Sequence, residues 1–179
     1  LTTDRPIIVF GSGSFASLAA HVLTHDAQRR VLGFTVDVAH LHSATHDGLP
    51  VYPFETLVEH APPADCQILV ALGYLQINGL RQARCAAAEA MGYELTRYIS
   101  RYARIAAGTP IGRNSQIYEN VILQPHVRLG ADVIVRAGAN IGHHSTVGDH
   151  SFIASGAVTG GNVSIGQRCF IGLGAIIRD

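Results

Sequence analysis

Ten histidines stand in a chain of 179 residues that holds only three cysteines, Cys66, Cys85 and Cys169. Histidine changes charge near neutrality, so this content invites two chemistries, metal ligation and acid–base catalysis. The cysteines are widely spaced and form no CxxC pair, which argues against a disulfide framework or a zinc site and for small buried apolar residues. Four histidines, His126, His143, His144 and His150, fall in the C-terminal half. His126 and His144 are eighteen residues apart, as are His143 and Gly161, and the same interval separates Asp132, His150 and Arg168. His21, His25, His40, His42, His46 and His60 fall in helix or loop contexts without a shared pattern and receive no role. Near the N-terminus, Gly11-Ser12-Gly13-Ser14-Phe15-Ala16 forms a glycine-rich turn, with an acidic residue, Asp37, downstream.

The interval of eighteen acquires meaning from a shorter period. From Ile105 every sixth residue is Ile105, Ile111, Ile117, Leu123, Leu129, Val135, Ile141, Val147, Ile153, Thr159, Ile165, Ile171 and Ile177, aliphatic at all but Thr159. Four places after each comes a small or β-branched residue, from Thr109 and Ser115 to Cys169 and Ala175. The next residue after the aliphatic is often glycine, as at 112, 130, 142, 148, 160, 166 and 172, which suggests a tight corner there. An amphipathic helix needs a period near 3.6, and hairpins need two. A period of six is satisfied by a triangular coil with three short strands per turn and the aliphatic positions stacked inside. Twelve hexads give four turns of eighteen, so His143 and Gly161 should lie one strand spacing apart, about 4.8 Å. A residue without a side chain beside a histidine leaves room for a substrate, and Gly160 and Thr159 should widen that opening.

The elements before the coil read as a small parallel α/β unit. Pro6 to Phe10 is an apolar strand running into the glycine turn, Ser17 to His25 is helical, and Val31 to Val36 is a second strand ending at Asp37. Ile68 to Leu72 is a third strand, Asn78 to Met91 a helix, and Leu95 to Ile99 a returning strand. Gly11, Ser12 and Gly13 could approach a phosphate, and Asp37 sits where a dinucleotide-type fold places the carboxylate that meets a ribose hydroxyl. The stretch from Gly11 to Ser100 is too short for two mononucleotide halves, so a single nucleotide or nucleotide-sugar fits better than NAD. The domains are therefore expected at 1–100, Rossmann-like α/β, and 101–179, an all-β parallel β-helix.

Thirteen basic and thirteen acidic residues leave no net charge and no run of either sign, which speaks against nucleic acid as a partner. No apolar stretch approaches the roughly 20 residues of a membrane span, and no secretory signal opens the chain, so a soluble cytoplasmic protein without a membrane partner is expected. The sequence starts at Leu1 and stops at Asp179 in mid-pattern, which suggests a coil continuing some tens of residues further.

This combination resembles the bacterial sialic-acid O-acetyltransferase-like enzymes and the N-acetyltransferases of nucleotide-linked amino sugars, members of the hexapeptide-repeat acyltransferases. The resemblance spans the chain and is most specific at Asn140-Ile141-Gly142-His143-His144-Ser145-Thr146-Val147-Gly148-Asp149 and Gly160-Gly161-Asn162-Val163-Ser164-Ile165-Gly166. It implies a left-handed coil and a homotrimer. It also implies acetyl-CoA as co-substrate along the groove between adjacent coils, and a nucleotide-linked sugar held by the N-terminal domain for surface-glycan synthesis. By the same resemblance the catalytic base falls on His143 and the backbone donor facing the thioester carbonyl on Gly161, with Gly160 beside it in the coenzyme groove. Gly11, Ser12, Gly13 and Asp37 become the sugar-nucleotide contacts. One departure stands out: where the amino-sugar enzymes have an acidic residue after the catalytic histidine, this chain has His144. That favours, as the alternative, a trimeric sugar-nucleotide scaffold without transfer activity. The γ-class carbonic anhydrases share the coil, but their zinc ligands include two histidines five residues apart, a spacing absent from this coil; no metal is expected.

Overall fold

A computed structural model describes residues 5–179. The first four residues of the expected N-terminal domain lie outside the described residues. Contacts divide the chain into two units, one of residues up to Gly73 together with Ala83–Thr96, the other of Tyr74–Gln82 together with Arg97–Asp179.

The first unit is built on a five-stranded sheet. Its strands are β1 (Ile7–Phe10), β2 (Val31–Val36), β3 (Thr45–His46), β4 (Leu49–Pro53) and β5 (Gln67–Val70), in the order β3-β4-β2-β1-β5. All pairs are parallel except the β3–β4 hairpin. Ile8, Phe10, Ile68 and Val70 pack with Phe54, Leu57, Cys85, Ala88 and Tyr93, while Ile7, Val9 and Leu69 on the alternate face are equally buried. Strands covered on both faces lose the polar alternation of a half-exposed sheet, which is why they read as continuous apolar runs.

Helix α1 (Ser14–His25) buries Ala16, Ala19, Ala20 and Leu23, a spacing of three and four that places them on one face. It starts three residues earlier than expected because Gly13, in extended conformation, serves as its N-cap. Two further helices follow, α2 (Leu57–His60) and α3 (Gly79–Ala90). The expected strand from Leu95 to Ile99 is two separate pairings. Leu95 bridges Ile68 in the α/β sheet, and Tyr98–Ile99 pairs with Gln116–Ile117 in the coil.

The second unit is a left-handed parallel β-helix. Thirteen two-residue strands, from Tyr98–Ile99 to Ile176–Ile177, form three sheets among the described residues. Every pairing joins residues eighteen apart, for example Arg128 with Thr146, Ile134 with Phe152 and Ile141 with Leu123. The aliphatic series fills the interior, with Ile117, Val135, Ile141 and Ile153 fully buried. Where the small-residue series carries serine, the hydroxyl ties two rungs together: Ser151 Oγ donates to Gly166 O and accepts from Cys169 N.

The corners differ from expectation. The left-handed backbone conformation falls three residues after each aliphatic, at Asn114, Asn120, His126, Asp132, His144, His150, Asn162 and Arg168 as well as at glycines. Asn, Asp and His are the side chains that enter this region most readily. The glycines one place after the aliphatic have ordinary φ, and those at 112, 130, 142 and 148 are required by close approach instead. At Gly148 a Cβ would lie 2.7 Å from the backbone nitrogen of Gln167 on the next rung.

Candidate active site

Strand Asn140–Ile141 delivers the chain into the turn that carries His143 and His144, both exposed. The turn is anchored from both neighbouring rungs. Gln124 Oε1 accepts the His143 N–H at 3.0 Å, and the His143 carbonyl accepts the Asn162 N–H at 2.8 Å. The second bond places His143 and Gly161 side by side, as the interval of eighteen demands. The contact is close: a Cβ built on Gly161 would lie 2.7 Å from His143 Nε2, so the imidazole occupies the space that the absent side chain leaves. Among the described residues the Gly161 N–H donates to no other group.

The other nitrogen of the His143 ring also has a partner. His143 Nδ1 lies 3.1 Å from His144 Nδ1, with the two rings nearly perpendicular. The His144 ring in turn lies against His126, centroids 4.4 Å apart. The position taken by a carboxylate in the resembled enzymes thus still meets the imidazole, through a ring nitrogen.

Thr159 does not widen the opening. It is buried, at 4% exposure, and its Oγ1 accepts the Gly142 N–H at 2.9 Å. A hydroxyl replaces an aliphatic here because it satisfies a backbone donor that would otherwise be buried unpaired. Gly160 lies on the rung below Asp179, whose backbone nitrogen would stand 3.0 Å from a Cβ at that position. Ser145 Oγ donates to Gly160 O at 3.3 Å and accepts from Val163 N at 3.1 Å, which fixes the backbone on both sides of Gly161. Gln124 and Ser145 were not singled out from the sequence. The signal was their register: Gln124 lies one rung before Gly142, and Ser145 one before Val163.

In the α/β unit, Gly11 has φ +126°, and a Cβ there would lie 3.1 Å from both Ala16 Cβ and Ala71 O. The turn from β1 into α1 therefore needs glycine at 11, whereas Gly13 faces open space and Ser12 is half-buried. Asp37, at the carboxyl end of β2, pairs with Arg84 at 3.0 Å and lines a cleft of about 620 Å³ with His40, Phe54, Glu55, Arg84 and Met91. Arg84 Nε is buried there without a hydrogen-bond partner. The Asp37 carboxylate keeps acceptor capacity beyond this one contact. Ser17 Oγ meets His46 Nε2 at 2.8 Å, but Asp47 approaches the same ring nitrogen, so no Ser-His-Asp relay exists.

Of the column Asp132, His150 and Arg168, the first two are joined by a hydrogen bond and the third is exposed. Asp132 is buried, receives Arg81 Nε at 2.8 Å and Asn114 Nδ2 at 2.7 Å, and lies 2.9 Å from His150 Nδ1. Arg81 is fully buried and also donates to the carbonyls of Asp132 and His150. Among the described residues no group of three or more His, Cys, Asp or Glu side chains is placed to hold a metal. Burial pushes the Cys66 thiol up, away from a reactive thiolate. No helix is long and apolar enough to cross a membrane among the described residues.

Residues 108–143 match the model of the bacterial transferase hexapeptide (six repeats) family. No curated protein sequence matches the chain significantly. Solved structures do. The acetyltransferase domain of PglB from Neisseria gonorrhoeae, determined with acetyl coenzyme A, is 22% identical, with 99% of this chain and 94% of that one covered at a TM-score of 0.76. PerB from Caulobacter crescentus, determined with CoA and GDP-perosamine, is 19% identical, covering 97% and 91% at 0.76. WeeI from Acinetobacter baumannii is 20% identical, covering 96% and 79% at 0.83. The chain thus carries a stretch that matches the bacterial transferase hexapeptide model and is built on the fold that these solved structures share.

Proposed function

We propose that the protein transfers an acetyl group from acetyl-CoA to an amine or hydroxyl of a nucleotide-linked sugar, with His143 as general base. The observation that carries this reading is the exposed His143 ring lying against Gly161, a residue that has no side chain and, among the described residues, an unengaged N–H. A base with accessible Nε2 and a backbone donor within one strand spacing are the two groups that acyl transfer needs. The acceptor nitrogen or oxygen bonds to the acyl carbon as its proton passes to His143 Nε2. The Gly161 N–H faces the developing oxyanion. The carbon–sulfur bond then breaks, and the proton passes from Nε2 to the departing sulfur. Cys169 belongs to the coil's apolar interior, packed half-buried against it, so no covalent acyl-enzyme is invoked.

Gly11, Ser12, Gly13 and Asp37 are assigned to the sugar nucleotide. Gly13 faces open space at the start of α1, where no side chain caps the helix and an anion is favoured, and Asp37 lies at the carboxyl edge of the parallel strands, where ligands of such sheets bind. The coenzyme is assigned to the coil beside Gly160 and Gly161, in a homotrimer. The PglB domain and PerB structures were determined with acetyl coenzyme A and with CoA plus GDP-perosamine, which supports both assignments.

His143→Ala should lower turnover by ~10²–10⁴-fold without altering stability; unchanged turnover would end the assignment. A thermal-shift screen of nucleotide sugars with acetyl-CoA present identifies the acceptor, since a ligand bound by the native state raises Tm. The scaffold reading rests on His144 in place of a carboxylate, and it predicts no specific acetyl-CoA binding at millimolar concentration.

A further inference from the structure

The contact between His143 Nδ1 and His144 Nδ1, 3.1 Å, constrains protons as well as positions. Two imidazole nitrogens at this distance are held together only when one proton lies between them. With no proton they would oppose lone pair to lone pair, and with two they would oppose N–H to N–H. We infer that His144 is a positioning residue that shares the Nδ1 proton of His143, so that the two rings accept and hold a single positive charge as one unit. The inference deepens the reading of His143 as base and rests on it for its catalytic meaning.

In the neutral pair one Nδ1 donates to the other, and when His143 is the donor its Nε2 carries the free lone pair. When Nε2 takes the acceptor's proton, the bridging proton can sit on either ring. Moving it by a fraction of an ångström carries the charge from His143 to His144 without any ring motion. His144 thereby supplies part of what a carboxylate supplies elsewhere. A second proton breaks the contact, so the pair holds one charge before it separates.

The surroundings suit this role. The groups in contact with the two rings are His126, stacked on His144, and the Gln124 and Asn162 backbone partners of the His143 turn. His126 is the one other titratable group touching the pair, and no carboxylate among the described residues contacts either ring. The bridging proton is therefore not drawn away to an anion.

The test reads ring nitrogens directly, by ¹⁵N-histidine NMR of the whole chain across pH, with assignment from single-histidine variants. Signals of His143 and His144 should move with one shared midpoint and a one-proton slope, and kcat/KM should rise with pH at the same midpoint. In His144→Asn the two-ring unit is lost, and the rise of kcat/KM with pH should move to lower pH. His144→Asp should restore or raise the midpoint and retain turnover. Both variants suit the left-handed corner, since Asn162 and Asp132 occupy equivalent corners at φ 58° and 56°. Independent midpoints in the native protein, or a His143 midpoint unmoved in His144→Asn, would overturn the inference. Failure of the base reading looks different: the rings would titrate together while His143→Ala stayed active.

Discussion

Gly161→Ala offers the sharpest separation of chemistry from stability. The residue has ordinary φ, so alanine meets no backbone strain, and the three atoms nearest the new Cβ all belong to the His143 ring. Ordinary contact begins near 3.4 Å, and Cβ would stand 2.7 Å from Nε2 and closer still to Cε1, so the ring edge must retreat by about 1 Å. The imidazole is exposed and ends a flexible side chain, so the retreat should cost no more than an ordinary surface substitution, within about 0.5 kcal/mol. For a chain of this length that is roughly 1–2 °C in Tm. Catalysis is less forgiving, because displacing a reacting group by 1 Å can cost ~10²-fold. The expected result is a Tm near native with kcat reduced by tens to a hundredfold, measured by release of the CoA thiol with the acceptor found in the ligand screen. Turnover within twofold of native would show that the ring does not work from this position. A loss of several kcal/mol would show that the backbone, rather than the ring, gives way.

Arg81→Ala strands a buried carboxylate at Asp132 and should destabilise the protein by ~3–5 kcal/mol in a denaturant titration, whereas exposed arginines should cost little when truncated. Thr159→Val matches the aliphatic series better yet removes the acceptor of the Gly142 N–H, so stability should fall by about 1–3 kcal/mol rather than rise. Burial pushes the Tyr93 hydroxyl up to about 12 from 10, opposed by nothing and reinforced by Cys66. Its folded state therefore holds the proton more tightly than the unfolded chain. Its contribution is complete below pH 10 and is lost progressively as pH rises through 10 to 12, so Tyr93→Phe should lessen the alkaline loss in melting curves, the remainder coming from Tyr118, whose hydroxyl burial also pushes up.

The coil could be read from sequence because its rule is local: a fixed phase of aliphatic residues fills one interior, and nothing distant changes that phase. The error lay in the reason for its glycines. Their frequency one place after the aliphatic suggested a corner, whereas the corner conformation lies two residues later and is carried by Asn, His and Asp as well as glycine. Close approach between rungs is a property of stacking and leaves no trace in a single hexad. The segment from Leu95 to Ile99 misled for a related reason. Its apolar pattern fits a strand in either sheet, and only the two pairings, Leu95 with Ile68 and Tyr98 with Gln116, divide it. The ion pairs Arg81 with Asp132 and Arg84 with Asp37 join residues 51 and 47 apart in sequence, and no spacing rule points to either. His143 and Gly161 were found together because their relation is the period itself.

The same lattice shows how to weigh the two adjacent histidines. The corner slot of His144 is selective: along the coil it holds Gly, Asn, His, Asp and Arg, types that either enter the left-handed region readily or are tolerated there. A histidine in it has a structural reason to be there, and His126 and His150 share that reason. The slot of His143 is unselective, holding Arg113, Glu119, Pro125, Ala131, Asp149, Ser155, Gln167 and Leu173 in other rungs. The backbone asks nothing of the residue at 143, so a histidine there, against the one rung-neighbour in its column that lacks a side chain, is not explained by folding. The chemistry then follows from adjacency. A residue chosen freely sits next to one constrained by its corner, and the constraint aims His144 Nδ1 at the ring whose protons it can share.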